Sequence, residues 1–346
     1  MRTMYSVVTP VEGVSKNSNN PGKLFYLPQD VLEWAGRICY NSNKHFRKNP
    51  DFLYDKIVTT GHLDVLEHGY FGCEFEVEPN FDVGDLYYFY YIFKEKYPFM
   101  SVSILPREKK IGMYGNFRVW YDLFCDNYVQ IWGLIGRQDM QELQIWLSTL
   151  VPNVFHYPQW LNGQKNTIGK TIQNEYAENF ATTSGHRVYT TQDGVDVMML
   201  SRTPKSDFTD KFHIAFQISK CSRAMTHQLV RHRLLSYSMR SQRYVDENNF
   251  STVRPSSTPE QTTILDNHFK DVNVTYKKLR DSGMKKQDAR CILPNAIDTE
   301  IVVSGTDVGW KHFIKLRCAS DAQEEIRNIA FCIKDMTEEV YGSVIS

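Results

Sequence analysis

The chain has 346 residues, and its 40 Lys and Arg balance its 40 Asp and Glu, so the formal net charge is zero. With 42% hydrophobic and 23% charged residues, it has enough apolar material for a packed core, which excludes disorder as the dominant state. A neutral chain is a poor candidate for coating nucleic acid or an anionic membrane, so any anion site must be local. The length predicts about two domains, or one domain with a large insertion.

Apolar runs such as residues 87–93 are much shorter than the ~20 residues that a bilayer requires, and the first residues show no basic and then apolar signal pattern. We therefore expect a cytoplasmic protein without a membrane partner. The seven cysteines are odd in number and have no Cys-x-x-Cys spacing, so they suggest neither a disulfide framework nor a metal site. We expect reduced, mostly buried thiols.

The first predicted elements are two helices and a strand. Apolar residues recur at helical spacing over residues 30–40, and a second helix is predicted over residues 52–60, ending at Gly61. Residues 70–78 alternate in their second half, which is typical of a strand with one face in solvent.

Residues 79–210 differ in character from the segments on either side. Eight aromatic residues lie between positions 81 and 97, and glycines interrupt the shorter segments that follow. A helix is predicted over residues 138–150, whereas residues 182–194 are polar and rich in turn-forming residues.

Regular structure resumes with an alternating strand over residues 212–218 and a helix from Ser222 into Arg231. An amphipathic helix over residues 265–283 is followed by short helices over residues 286–293 and 308–316, and by a long helix from Ser320. This order predicts an α+β fold in which one small antiparallel sheet packs with helices.

Positive charge concentrates in residues 220–254, which hold seven Lys and Arg against two acids. Arginine forks suit phosphate because they give paired, charge-assisted hydrogen bonds. An isolated basic triplet such as residues 231–233 is more often a solvated helix face. The longer pattern of Arg231-His232-Arg233, seven residues, then Ser241 and Arg243-Tyr244 closely resembles the signature of flavin-dependent thymidylate synthases, and Gln228 and Ser236 also fit it.

Three further blocks resemble elements of the same family, in the same order along the chain. They are Gly61-His62-Leu63-Asp64-Val65-Leu66-Glu67-His68, Ala289-Arg290-Cys291-Ile292-Leu293-Pro294, and a closing block at residues 304–317 and 322–326. The resemblance implies a catalytic domain formed by residues 1–78 and 211–346, interrupted by an insertion at residues 79–210. We consider two roles for the insertion: a lid over the folate or flavin, motivated by its aromatic run and by a turn expected at residues 115–118, or a peripheral subdomain or subunit contact.

The family implies methylation of dUMP to dTMP at uracil C5. The carbon comes from 5,10-methylenetetrahydrofolate and the reducing equivalents from NADPH through FAD, in a homotetramer whose subunits share active sites. Arg317 is the implied catalytic residue, a fixed cation that would polarise the uracil. The implied dUMP residues are Gln228, Arg231, Met239, Ser241, Gln242, Arg243, Arg290 and Arg317. The implied FAD residues are His62, Asp64, Glu67, Arg231, His232, Arg233, Thr306 and His312, and no metal is implied.

Three positions depart from the family pattern. Met239 replaces an acidic or amide residue, Asp64 replaces a hydroxyl residue, and Asp321 replaces a histidine or asparagine. Purely structural roles are the alternative for single residues: Arg290 and Arg317 could pair with Asp288 and Glu325, His62 and His68 could be buried histidines, and Ser241 could cap a loop.

Two other functions compete with the synthase interpretation. A nucleic-acid-binding module would use the basic segment at residues 220–254, with Tyr237 and Tyr244 as stacking platforms. A flavoprotein of the same fold that has lost activity and serves as a scaffold would account for Met239 and Asp64. The synthase interpretation predicts dUMP, folate and NADPH as partners and no nucleic acid.

Overall fold

The computed structural model describes residues 3–6, 9–10, 12–13, 23–24, 28–76, 82–105, 110–125, 137–152, 154–155, 188–203 and 212–342. The chain divides into two compact units. Unit 1 comprises Met1–Glu33, Arg47–Gly185 and Ser201–His213, and unit 2 comprises Trp34–Phe46, His186–Leu200 and Ile214–Ser346.

The described strands and helices follow one another along the whole chain. The strands are β1 (Thr3–Ser6), β2 (Thr9–Pro10), β3 (Glu12–Gly13), β4 (Lys23–Leu24), β5 (Tyr70–Glu76), β6 (Ser101–Leu105), β7 (Lys110–Asn116), β8 (Val188–Thr190), β9 (Asp196–Arg202), β10 (His213–Ser222), β11 (Leu235–Met239) and β12 (Asp298–Thr306). The α-helices are α1 (Pro28–Cys39), α2 (Val83–Lys96), α3 (Phe117–Cys125), α4 (Arg137–Leu150), α5 (Arg223–Leu229), α6 (Pro259–Asp281), α7 (Lys286–Ala289), α8 (Asp307–Arg317) and α9 (Glu324–Tyr341).

Unit 1 contains a four-stranded antiparallel sheet in the order β1, β5, β7, β6. The Tyr114 ring lies over two glycines, because a Cβ on Gly72 would lie 2.2 Å from the ring and one on Gly112 would lie 2.8 Å from the hydroxyl. Tyr114 donates a hydrogen bond of 3.0 Å to Glu74 Oε1, and Trp120 Nε1 donates one of 3.0 Å to the Phe71 carbonyl. The Tyr114 contacts therefore join strands of the sheet, and the Trp120 hydrogen bond holds α3 against it.

Two elements of unit 1 correct the sequence analysis. The helix predicted over residues 52–60 is a single π-helical turn, Tyr54–Val58, within a short helical segment. The turn expected at residues 115–118 is wrong: β7 runs to Asn116 and α3 begins at Phe117. Asn116 Oδ1 accepts the Val119 N–H at 3.0 Å, so the chain passes from strand to helix without a turn between them.

Unit 2 is built on strands in the order β11, β12, β10, β9, with β8 paired to β9. The β11–β12 pair is antiparallel, and its register places Leu235 opposite Gly305 and Met239 opposite Ile301. Trp310 and Phe313 of α8 and Ile326 and Ile333 of α9 are fully buried, so these two helices contribute to the core.

The α+β prediction is confirmed, but the expectation of one small sheet is wrong, since the described residues contain three. The strand predicted over residues 212–218 is β10, and the helices predicted from Ser222, over residues 265–283 and from Ser320 are α5, α6 and α9, with shifted ends. Helix α6 begins earlier than predicted because Thr258 forms a capping box with Gln261 and Pro259 takes the first helical position.

No helix within the described residues is both long and apolar enough to cross a membrane. Of the seven cysteines, Cys73 and Cys221 are buried, whereas Cys125 and Cys291 are exposed and the others are half-buried. The expectation of mostly buried thiols is therefore wrong.

Candidate functional site

The basic triplet of residues 231–233 follows helix α5 in unit 2 as a turn between that helix and β11. The His232 N–H donates to the Leu229 carbonyl at 3.1 Å, and the Leu235 N–H donates to the His232 carbonyl at 3.0 Å. The Tyr237 hydroxyl lies within hydrogen-bond distance of both carbonyls, at 2.7 and 2.8 Å. Tyr237 therefore ties β11 to the turn, and burial raises the pKa of its hydroxyl.

Two glycines allow β12 and α8 to approach this turn closely. A Cβ on Gly309 would lie 2.8 Å from the Leu234 carbonyl oxygen, and a Cβ on Gly305 would lie 2.4 Å from Leu235 Cδ2. Because Cβ atoms do not approach backbone this closely, any larger residue at Gly309 would push α8 away from the turn. Small residues here set the distance between the triplet and α8.

The end of α8 places Arg317 against this turn and against α5. Arg317 Nε donates to His232 Nε2 at 2.9 Å, Nη2 donates to the Gln228 carbonyl at 3.3 Å, and Nη1 lies 3.5 Å from Gln228 Oε1. The Gln228 amide in turn donates to Gln323 Oε1. The acceptors of Arg317 among the described residues are all neutral, so none of them offsets the positive charge of its guanidinium.

His232 must be neutral at Nε2 to accept the hydrogen bond from Arg317. Burial lowers the pKa of its imidazole to about 4, and the charges of Arg317 and His312 add to the effect. The ring packs edge-on against Phe313, with centroids 5.1 Å apart, and lies 5.7 Å from the His312 ring. Its buried Nδ1 has no hydrogen-bond partner among the described residues, although the neutral tautomer carries a proton there.

The structural alternatives for the two arginines are wrong within the described part of the chain. The polar contacts of Arg317 in that part of the chain are to His232 and Gln228, and Glu325 instead accepts hydrogen bonds from Ser222. Arg290 lies on a 3₁₀ turn, Arg290–Ile292, and is exposed, without an ion pair to Asp288 among the described residues. Both cations are therefore free to meet an anion.

A third arginine, Arg223, lies at the start of α5 close to two others. Burial lowers the pKa of its guanidinium, and repulsion from Arg240 and Arg290 contributes in the same direction, while Glu247 opposes it. Arg223 Nη1 donates to the Arg240 carbonyl at 3.3 Å, and Arg240 itself pairs with Asp298 Oδ1 at 2.8 Å. Sequence reasoning counted Arg223 in the basic segment but assigned it no role, because only the fold brings it near Arg290.

The loop after β11 carries the remaining residues of the signature. The Ser241 N–H donates to the Cys39 carbonyl at 3.0 Å, and Ser241 Oγ accepts the Arg243 N–H at 3.2 Å, so the loop-cap alternative for Ser241 is confirmed. The Arg243 guanidinium lies 5.5 Å above the Tyr244 ring and is exposed. Gln242 is buried, and its Nε2 has no partner among the described residues.

The predicted residues of the first block lie in unit 1, on the 3₁₀ turn Leu63–His68. His62 is exposed, so the buried alternative for it is wrong, whereas His68 is completely buried. Burial lowers the pKa of His68 to about 3, with a further contribution from His213. Asp64 is exposed and Glu67 is half-buried.

The other predicted residues of unit 2 differ in exposure and in the element that carries them. Arg231, Arg233 and His312 are exposed, Thr306 directly precedes α8 without capping it, and Met239 is half-buried on β11. Asp321, the third departure from the family pattern, is exposed before α9.

Comparison with known proteins identifies the family. The sequence model of the family described as thymidylate synthase complementing protein matches residues 164–341, just over half of the chain. The chain belongs to this family. The match includes the triplet, Arg290 and Arg317, and it begins inside the region predicted as an insertion; the first block at residues 61–68 lies outside it.

The chain is also similar to individual curated proteins. The chain is similar to the flavin-dependent thymidylate synthase of Geobacter sulfurreducens, with 42% identity over 120 residues, which is 33% of this chain and 52% of that protein. It is 42% identical over 123 residues to that of Pyrococcus furiosus (34% and 50% of the two chains) and 37% identical over 144 residues to that of Mycobacterium avium (36% and 58%). The chain thus spans about half the length of the curated relatives it matches.

Proposed function

We propose that the chain is a flavin-dependent thymidylate synthase, a methyltransferase that converts dUMP to dTMP with 5,10-methylenetetrahydrofolate, NADPH and FAD. The observation that carries the proposal is the environment of Arg317: a half-buried cation whose polar contacts among the described residues are to the uncharged His232 and Gln228. Family membership supports the same reaction.

Arg317 would stabilise negative charge on the pyrimidine. A fixed guanidinium beside N3 and O2 of uracil favours the N3-deprotonated form, which pushes electron density toward C5, where the carbon is added. Its two neutral partners orient it without neutralising it, and partial exclusion of water strengthens its field.

The groups around the triplet suit FAD. Arg231 and Arg233 are exposed cations without an ion pair in the described part of the chain, and the buried His232 Nδ1–H is an unused donor. With His312 and Thr306, they are our proposed FAD residues in unit 2. The family resemblance also implies His62, Asp64 and Glu67 for FAD, and these three residues belong to unit 1. When bound, the flavin supplies the reduction step, and the protein supplies orientation and charge.

A second group of side chains suits the phosphate of dUMP. Arg290 and Arg243 are exposed, Arg223 lies within electrostatic range of Arg290, and Gln242 holds a buried amide without a partner among the described residues. Arginine forks bind phosphate oxygens in pairs. We therefore add Arg223 to the proposed dUMP residues, which are Gln228, Arg231, Met239, Ser241, Gln242, Arg243, Arg290 and Arg317.

We also propose a homotetramer with shared active sites. Apolar side chains are exposed around the triplet: Val230 at 40%, Leu234 at 59% and Val308 at 53%. Exposed apolar residues beside a polar site favour burial against another subunit. The catalytic domain at residues 1–78 and 211–346, the insertion at 79–210 and the cytoplasmic location remain our predictions.

The nucleic-acid alternative is less well supported. Tyr237, one of its two stacking platforms, is half-buried and bound to backbone carbonyls, and the Tyr244 ring already packs against the Arg243 guanidinium and the Tyr40 ring. Stacking requires an accessible ring face.

Tritium release from 5-labelled dUMP tests the proposal. Purified chain with FAD, NADPH and the folate should release tritium, and the preparation should show flavin absorbance that NADPH bleaches. Flavin binding without any tritium release would support the inactive scaffold instead. A colourless protein that binds RNA or DNA tightly would support the nucleic-acid-binding module.

A further inference from the structure

Glu325 is a buried carboxylate in the first turn of α9 that accepts hydrogen bonds from the start of α5. Its Oε1 accepts the Ser222 N–H at 2.6 Å, and its Oε2 accepts the Ser222 hydroxyl at 2.5 Å. The side chain is buried, with the residue 8% exposed. A carboxylate that accepts two hydrogen bonds at these distances from one residue fixes that residue strongly.

Ser222 passes this constraint to the helix that follows it. Its hydroxyl, donating to Glu325, accepts the Met225 N–H at 3.0 Å and so caps α5. The next two amides of α5 are also used, because Arg223 N–H donates to the Ile297 carbonyl at 3.1 Å and Ala224 N–H to the Asn295 carbonyl at 2.9 Å. These hydrogen bonds therefore fix the position of the first turn of α5.

The far end of α5 is the end that touches Arg317. The Gln228 carbonyl and side chain accept from the Arg317 guanidinium, and the Gln228 amide donates to Gln323, two residues before Glu325. The start of α9 thus holds α5 at both ends: Glu325 at Ser222 and Gln323 at Gln228. A displacement of α5 would move the acceptors that orient Arg317.

We propose that Glu325 is a positioning residue for Arg317, acting through Ser222 and helix α5. The proposal rests on the proposed function, because it concerns the residue that we expect to activate uracil. It differs from the structural alternative in which Glu325 pairs with Arg317, since here the carboxylate orients the arginine without neutralising it.

The test compares Glu325→Gln with Glu324→Gln, a substitution of the neighbouring exposed glutamate, which accepts a hydrogen bond from the Ser256 hydroxyl. A glutamine keeps the shape of Glu325, but it replaces one of the two accepting oxygens with an NH2 group, so it cannot accept both hydrogen bonds from Ser222. A misplacement of about 1 Å at a catalytic group can cost ~100-fold in rate, so we expect Glu325→Gln to lower kcat for tritium release by about 10-fold. Glu324→Gln should change it by less than about 2-fold.

The decisive measurement is the same substitution in an Arg317→Lys background. If Glu325 acts through Arg317, Glu325→Gln should change the rate of Arg317→Lys enzyme by less than about 2-fold, whereas general damage to the fold would lower it by about 10-fold again. Equal effects in both backgrounds overturn the proposal. So does a Glu325→Gln enzyme as active as the Glu324→Gln control.

Gln323→Ala keeps the proposal testable if Glu325→Gln fails to fold, because Gln323 is exposed. Gln323→Ala should lower kcat of the wild-type enzyme but leave kcat of the Arg317→Lys enzyme almost unchanged. A decrease in kcat in both backgrounds overturns the proposal. If the wild-type chain releases no tritium, the proposed function and this inference are both overturned. If the wild-type chain is active and Glu325→Gln leaves its kcat unchanged, this inference alone is overturned.

Discussion

Arg317 donates a hydrogen bond of 2.9 Å to Nε2 of His232, so the histidine of the basic triplet acts as an acceptor for the arginine at the end of α8. The two residues are 85 positions apart in the sequence, and Gly305 and Gly309 permit the close approach that joins them. The pair links two blocks of the family signature, and it fixes the tautomer of one residue and the direction of the other.

Replacing His232 by phenylalanine should impair catalysis more than folding. Phenylalanine keeps a flat ring against Phe313 but removes the acceptor for Arg317 Nε. We expect kcat for tritium release to fall by about 10- to 100-fold, in line with the cost of misplaced catalytic groups. His227→Phe, an exposed substitution on α5, is the matched control and should retain wild-type kcat.

Arg317→Lys tests whether the shape of the cation matters as well as its charge. Lysine cannot donate to His232 and to the Gln228 carbonyl from a planar fork, so the charge is retained but its position is lost. We expect kcat to fall by about 100-fold, a loss typical of one removed electrostatic stabiliser. Steady-state kinetics with dUMP measure this, and Lys315→Ala, exposed on the same helix, provides the control. Wild-type kcat in Arg317→Lys would exclude Arg317 as the activating group.

The sequence predicted what depends on local spacing. The spacing of apolar residues predicted α6 and α9. The family resemblance assigned Arg317, Arg290 and His232 to one site, and the structure joins Arg317 to His232. It did not predict the pairing of β5 with β7, which joins Tyr70 to Asn116, because strand pairing across 46 positions leaves no local period.

The role of Glu325 was also beyond sequence analysis. Charge alone suggested a partner for Arg317, but the fold provides two donors on Ser222 that fit the carboxylate better. Arg223 was missed for a similar reason, since only the loop between α7 and β12 brings its helix near Arg290. Long-range geometry, and not residue type, decides between alternatives that are equal in the sequence.

Buried histidines make the stability of the chain depend on pH below neutrality. Burial lowers the pKa of His68 and of His213 to about 3 from an ordinary value of 6.5. As the pH falls below 6.5, these histidines become protonated in the unfolded chain but stay neutral in the folded chain. The free energy of unfolding therefore decreases down to about pH 3.

Urea denaturation at pH 7 and at pH 5 checks this expectation. The midpoint should be lower at pH 5, and His213→Phe, which keeps a ring stacked on Tyr70, should reduce the difference between the two pH values. His45→Phe, which replaces an exposed histidine, should leave the difference unchanged. Equal midpoints at both pH values in the wild-type chain would contradict the linkage.

Gly309→Ala tests whether the close approach of α8 to the basic triplet is required. The new Cβ would lie 2.8 Å from the Leu234 carbonyl oxygen, and backbone cannot yield to it as the end of a flexible side chain does. Overpacking of this kind costs about 1–3 kcal/mol, and the shift of α8 should also weaken the hydrogen bond between Arg317 and His232.

The measurement is the urea midpoint together with kcat for tritium release. Gly115→Ala is the matched control, because its Cβ would make an ordinary contact of 3.4 Å with Met100. We expect Gly309→Ala to lower both the midpoint and kcat. Gly115→Ala should change the free energy of unfolding by less than about 0.5 kcal/mol. Loss of stability without loss of kcat would show that Arg317 reaches its position independently of the packing of α8 on the turn.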